Sequence, residues 1–112
     1  MDWYQIWCDL KPGEDDLTFC KSVDAYLGHL RGAGLIEEHR MMRRKLGLAH
    51  DGATEFHIMI GNKDLAQLDA AFTRVSTRDD EIENLHRAVY GAVTNLKFGL
   101  YRDFPDPWRK GS

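Results

Sequence analysis

Side-chain character alternates strictly where the chain opens. In Trp3-Tyr4-Gln5-Ile6-Trp7-Cys8-Asp9-Leu10, one side takes Tyr4, Ile6, Cys8 and Leu10 and the other takes Trp3, Gln5, Trp7 and Asp9. A period of two marks a strand whose faces meet different surroundings. Lys11-Pro12-Gly13 breaks the pattern. Glu14-Asp15-Asp16 then places acids where a helix begins, beside its positive dipole end. Leu17, Cys20, Val23, Leu27 and Leu30 recur every three or four residues, flanked by Phe19 and Tyr26. This predicts an amphipathic helix with one buried stripe, ending near the glycines 32 and 34.

The segment 35–46 alternates again, and its charges do not sort at a helical period, so a long strand is expected there. After a glycine-bearing connection at 47–54, Glu55-Phe56-His57-Ile58-Met59-Ile60 repeats the period of two, and the pair reads as a hairpin. Leu65, Leu68, Phe72 and Val75 mark a helix, 76–80 interrupts it, and Ile82, Leu85, Ala88 and Val89 mark another ending at Gly91. A last alternation spans 93–101. The tail Arg102-Asp103-Phe104-Pro105-Asp106-Pro107-Trp108 carries prolines that oppose regular structure, and two aromatics expected to find cover.

Strand, helix, strand, strand, split helical layer, strand is the order of an α+β, ferredoxin-like βαββαβ unit. Its four-stranded antiparallel sheet runs fourth, first, third, second, with helices on one face. Residues 1–104 form the expected domain and 105–112 a C-terminal tail. The helix-free face would present Trp3, Gln5, Trp7, Asp9, Glu55, His57, Met59, Asn95, Lys97 and Tyr101. So large an amphipathic surface calls for a partner, and a two-fold homodimer is the economical one.

Composition narrows the classes. The 112 residues are 43% hydrophobic and 29% charged, with a net charge of −3. That suits an ordinary globular domain with neither a nucleic-acid footprint nor a membrane span. Two cysteines, Cys8 and Cys20, make no disulfide framework and match no zinc spacing. Reduced thiols and the lack of a signal-like start predict a cytoplasmic protein.

His57 is the sharpest single residue, a mid-strand histidine aimed at the open face, where it could act as acid or base with Asp9 orienting it. The competing reading is an interface histidine bonded to Asp9 or Glu55. Trp3, Gln5, Trp7, Met59, Asn95, Lys97 and Tyr101 fit a ligand site of apolar walls with a few polar groups; the alternative is a wet interface. A metal would need His57, Glu55, Asp9 and His39 to converge, and no local motif brings them together. No metal or other cofactor is expected. His29, His50 and His86 read as exposed positions. Arg40, Arg43, Arg44 and Lys45 are split between two faces by the alternation. No phosphate loop and no nucleophile elbow occurs.

The element order with an amphipathic open face resembles the dimeric α/β-barrel superfamily. Ile6-Trp7-Cys8-Asp9-Leu10-Lys11-Pro12-Gly13, Glu55-Phe56-His57-Ile58-Met59-Ile60 and Tyr101-Arg102-Asp103-Phe104-Pro105-Asp106-Pro107 resemble an uncharacterised family of short bacterial proteins. That resemblance implies a fold and a homodimer but no activity, because the superfamily holds cofactor-free monooxygenases, haem-degrading enzymes, lactone isomerases and proteins without a known reaction. A small organic ligand at the open sheet face is the leading expectation. A cofactor-independent monooxygenase or isomerase and a non-catalytic regulatory module are the alternatives.

Overall fold

The computed structural model describes residues 1–77 and 79–109. Its elements are β1 (Asp2–Leu10), α1 (Asp16–Gly32), β2 (Glu38–Arg43), β3 (Phe56–Asn62), α2 (Leu65–Ser76), α3 (Asp80–Tyr90), β4 (Val93–Arg102) and a 3₁₀ turn, Pro107–Arg109. The sheet is antiparallel in the order β2-β3-β1-β4. All three helices cover one face. The Cα atoms extend only 18 Å along the short axis, the depth of one sheet and one helical layer. No helix among the described residues is long and apolar enough to cross a membrane.

Local chemistry explains the helix starts. The Asp15, Asp64 and Asp79 carboxylates accept from the backbone N–H groups of Thr18, Gln67 and Glu81, supplying partners that the first turn of a helix lacks. Phe19, Val23, Tyr26, Leu27 and Leu30 of α1 are buried against Ile6, Cys8, Phe56, Ile58 and Ile60 of the sheet. Each such side chain contributes roughly 1.5–3 kcal/mol on burial.

Several expectations change. The stripe of α1 keeps Val23, Leu27 and Leu30 as expected and adds Phe19 and Tyr26, whereas Leu17, in the first turn, is 70% exposed. β2 is half the expected length. Ile36 is buried in the core before the strand starts, and Arg44 N–H closes the ladder on Glu55 C=O. Leu46 and Gly47 then both take positive φ, which turns the chain away. β4 holds a bulge: Trp7 faces Lys97 but Asp9 faces Thr94, and Asn95 has φ 56°. The tail is not wholly irregular, since Pro107–Arg109 forms one 3₁₀ turn. Its aromatics are not covered within the protomer: Phe104 is 88% and Trp108 72% exposed. Asp103 anchors the start of the tail in cis, accepting from Trp3 Nε1–H at 2.8 Å and pairing with the N-terminal ammonium at 3.4 Å.

Candidate functional site

The helix-free face presents Trp3, Gln5, Trp7, Asp9, His57, Met59, Lys97 and Tyr101 in register. Trp7 lies opposite both His57 and Lys97, Gln5 opposite Met59, and Trp3 opposite Tyr101. Arg40 and Met42 of β2 join this face opposite Met59 and His57, while His39 and Met41 turn toward the helices. The two indoles lie flat across the sheet. A Cβ on Gly61 would stand 2.9 Å from the Trp3 ring, and one on Gly99 3.1 Å from the Trp7 ring. Glycine at these two positions lets the tryptophans cover the strands.

The polar groups of this face are largely satisfied by one another. His57 stacks on Trp7 with ring centroids 4.7 Å apart, and His57 Nε2–H donates to Gln5 Oε1 at 2.8 Å. Asp9 does not reach His57. It accepts from Glu55 N–H at 2.8 Å and from Asn95 Nδ2–H at 2.9 Å, because it lies two residues beyond the Trp7–His57 pair and the bulge carries Asn95 to it. Gln5 therefore holds the histidine in the protomer, and the expected orienting role of Asp9 is not met. Lys97 Nζ donates to Gly52 C=O in the β2–β3 loop. Among the described residues, no group of three or more His, Cys, Asp or Glu is arranged to hold a metal.

These surroundings set a pH dependence. The hydrogen bonds from Asn95 and Glu55 hold the Asp9 carboxyl below its usual range, and burial pushes the His57 imidazole below its own. Both shifts leave the folded chain binding fewer protons than the unfolded one as pH falls, so both cost stability toward acid. For His57 the loss begins below its ordinary value of about 6.5, and for Asp9 below about 3.9. The urea midpoint is expected to fall further between pH 7 and 5 in the natural protein than in His57→Gln. Equal slopes would show that His57 is not held neutral by its surroundings.

The other face of the sheet holds a cavity that the sequence reading did not anticipate. Between the sheet and the helices lies a cavity of about 230 Å³. Tyr4, Ile60 and Phe98 floor it, α1 supplies Tyr26, Leu27 and Leu30, α2 supplies Leu68, Ala71, Phe72 and Val75, and α3 supplies His86 and Tyr90. Phe72 and Phe98, 50% and 54% exposed, mark its mouth between α2 and the β4 edge. The rings are ordered. Tyr4 meets Phe72 edge-on at 5.2 Å and stacks with Phe98 at 6.0 Å. His86 meets Tyr26 edge-on at 5.7 Å and stacks on Tyr90 at 4.5 Å. His86, expected at an exposed position, is half-buried here because α3 turns it toward α1.

No charged side chain among the described residues lines this cavity. Its polar groups are three phenols and one imidazole. Burial raises the pKa of all three phenols, that of Tyr26 to about 12, and their mutual proximity adds to the effect for Tyr26 and Tyr90. They stay protonated and available as donors near neutral pH. Yet none of Tyr4, Tyr26, Tyr90 and His86 is hydrogen-bonded to a described residue. The signal in the sequence was the spacing of His86 and Tyr90, one helical turn apart on the face of α3 that turns toward α1.

The sequence matches one family model over residues 1–112. The chain belongs to DUF6614, a family of unknown function. No protein of curated function matches this DUF6614 chain. Solved structures share its ferredoxin-like α+β fold. An Arabidopsis thaliana protein superposes with a TM-score of 0.72 at 7% identity, over 92% of this chain and 95% of that one. SnoaB, a cofactor-independent oxygenase from Streptomyces nogalater, gives 0.66 at 10% identity, over 94% and 97%. A dimeric ferredoxin-like protein of unknown function from Jannaschia sp. CCS1 gives 0.66 at 11% identity, over 91% and 98%. The neighbours fit the dimeric α/β-barrel resemblance read from the sequence, and at these identities the likeness is one of fold.

Proposed function

We propose that this protein is a homodimer that pairs through the open sheet face and binds a small, uncharged organic molecule in the helix-side cavity of each protomer. The observation that carries the reading is the cavity itself: an apolar chamber whose phenols and imidazole have no partner in the protein. Tyr4, His86 and Tyr90 are half-buried around the cavity, and polar groups that line an apolar pocket without spending their hydrogen bonds on the protein are free to orient a ligand there. A cavity of about 150 Å³ holds a benzene molecule, so this one suits a single ring or two fused rings. The aromatic lining favours a flat molecule, and the absence of charge favours a neutral one carrying a hydroxyl or carbonyl.

This moves the ligand away from the open face, where His57, Gln5, Asp9 and Asn95 already satisfy one another. That face, with Trp3, Trp7, Met59 and Tyr101, is read as the subunit contact, as in neighbours described as dimeric. The fold shared with SnoaB does not carry over oxygenation.

Ala71→Leu tests the ligand site. Ala71 is buried on α2 at the cavity wall, and the longer side chain projects into the empty volume. The variant is expected to fold with an unchanged or raised melting temperature and to lose binding of neutral one- and two-ring aromatics by about tenfold or more in NMR titration, the equivalent of about 1.4 kcal/mol. If the natural protein binds none of them, or the variant binds them equally well, the cavity is not the site.

A further inference from the structure

We infer that the cavity is a proton-transfer site, in which His86 is the base and the phenols of Tyr26 and Tyr90 are the donors that hold a carbonyl oxygen of the bound molecule. The inference rests on the ligand-binding reading above and adds chemistry to it.

The histidines supply the first argument. The chain has five. His29 pairs with Glu81 at 3.7 Å, His39 with Asp24 at 3.2 Å, His50 bonds Asp51 C=O at 2.9 Å, and His57 bonds Gln5 at 2.8 Å. Only His86 has no polar partner among the described residues, and only His86 lines the helix-side cavity. Its ring is held by aromatic contacts instead, with Tyr90 stacked on it and Tyr26 at its edge. Such packing fixes the plane of the imidazole while leaving both nitrogens unspent. A histidine held in place without its hydrogen bonds used is suited to exchange a proton with something in the cavity.

The phenols supply the second. Tyr26 and Tyr90 flank His86 and face the same volume, so one small molecule can meet base and donors together. A carbonyl compound with a C–H beside the carbonyl matches that arrangement. The imidazole takes the proton from carbon. The C–H electron pair moves into the new carbon–carbon double bond, and the carbonyl oxygen gains the negative charge, held by the phenol O–H groups. Once the imidazolium has traded that proton for one from water, reprotonation of the same carbon gives exchange with solvent. Returning the proton to a carbon further along a conjugated system gives an isomer. Neither outcome needs an oxidant, a reductant or a metal. The apolar walls strengthen the phenol–oxyanion interaction by keeping water away.

The test uses 2-tetralone and 2-indanone, neutral fused-ring ketones with exchangeable C–H groups beside the carbonyl. Binding is followed by NMR titration of the full-length protein, and replacement of the C–H protons by deuterium in D₂O is followed on the same samples. The natural protein is expected to bind the ketones and accelerate exchange above buffer. His86→Gln is expected to bind them within a few-fold and to lose about a hundredfold in exchange rate. Tyr26→Phe, which removes one oxygen and keeps the ring packing, is expected to slow exchange in a protein that remains folded. Ala71→Leu should abolish both signals. Binding without acceleration, or acceleration that survives both His86→Gln and Tyr26→Phe, overturns the proton-transfer assignment and leaves the ligand site standing. No binding, or binding that Ala71→Leu does not weaken, overturns both.

Discussion

Trp7→Glu is expected to leave a folded chain and to convert the protein from a dimer to a monomer. Light scattering at micromolar concentration should report twice the 12.9 kDa chain mass for the natural protein and that mass once for the variant. Trp7 stands at the middle of the open face, stacked on His57 and laid over Gly99. A two-fold contact brings the same patch to itself, so one substitution enters the interface twice. Two carboxylates placed there must either be desolvated or hold the sheets apart, and an unpaired buried charge is far more costly than the lost indole packing. Within the protomer the change removes a ring stack worth about 0.5–1.5 kcal/mol, which the core tolerates. A natural protein that scatters as a monomer, or a variant that remains dimeric, would end the reading of this face as the subunit contact.

Phe56→Ala acts on the opposite side of the sheet and should be the most destabilising single truncation of the protomer. Phe56 is 3% exposed on β3, next to the centre of the sheet. It meets Phe19 of α1 at 5.4 Å in an edge-on pair, and the Arg43 guanidinium lies 5.2 Å over its ring. Removing the ring joins a lost transfer energy to a cavity that neighbouring strands cannot close. The expected loss is about 3–5 kcal/mol in urea unfolding, a large share of the roughly 5–15 kcal/mol that holds a domain folded. A loss below about 1 kcal/mol would mean that α1 does not pack on β3 as described. Arg43 also bonds Asp16 and Glu55. Its removal alone should cost much less, because those partners are partly solvated.

The architecture was legible because each element carries its own period. β1 and β3 alternate cleanly, the helices announce themselves by stripes, and connection rules leave few ways to assemble them. The strand order and the one-sided helical cover followed. Features set by single residues were less visible. The short β2 depends on Leu46 and Gly47 adopting positive φ, and the bulge depends on Asn95 doing the same, a conformation that asparagine tolerates but does not announce. The helix-side cavity went unread for a related reason. Period-two arithmetic shows which residues share a face, so the mixture of Trp, His and Asp facing away from the helices drew the eye. It cannot show that three helices meeting one sheet leave a gap. Tyr4 and Phe72 read as ordinary core positions, Tyr26 as a flank of a helix stripe and His86 as exposed, and only the fold brings them together with Tyr90 from four elements around one cavity. The residues of the open face were grouped correctly, but their partners were not: Gln5, rather than Asp9, holds His57.

The bulge in β4 has a consequence for tolerated change. β1 gives alternate residues to opposite purposes, Tyr4 to the cavity and Trp3, Gln5 and Trp7 to the open face. Loss of one residue within β1 would invert that parity, turning indoles toward the helices and a phenol toward the helix-free face. The irregular step at Asn95, tied to Asp9, fixes where β4 counts two residues against one and so anchors the phase of the pairing. Length variants of β1 should therefore survive only in even steps. A single deletion there would disrupt the cavity and the open face together, although no residue of either had been substituted.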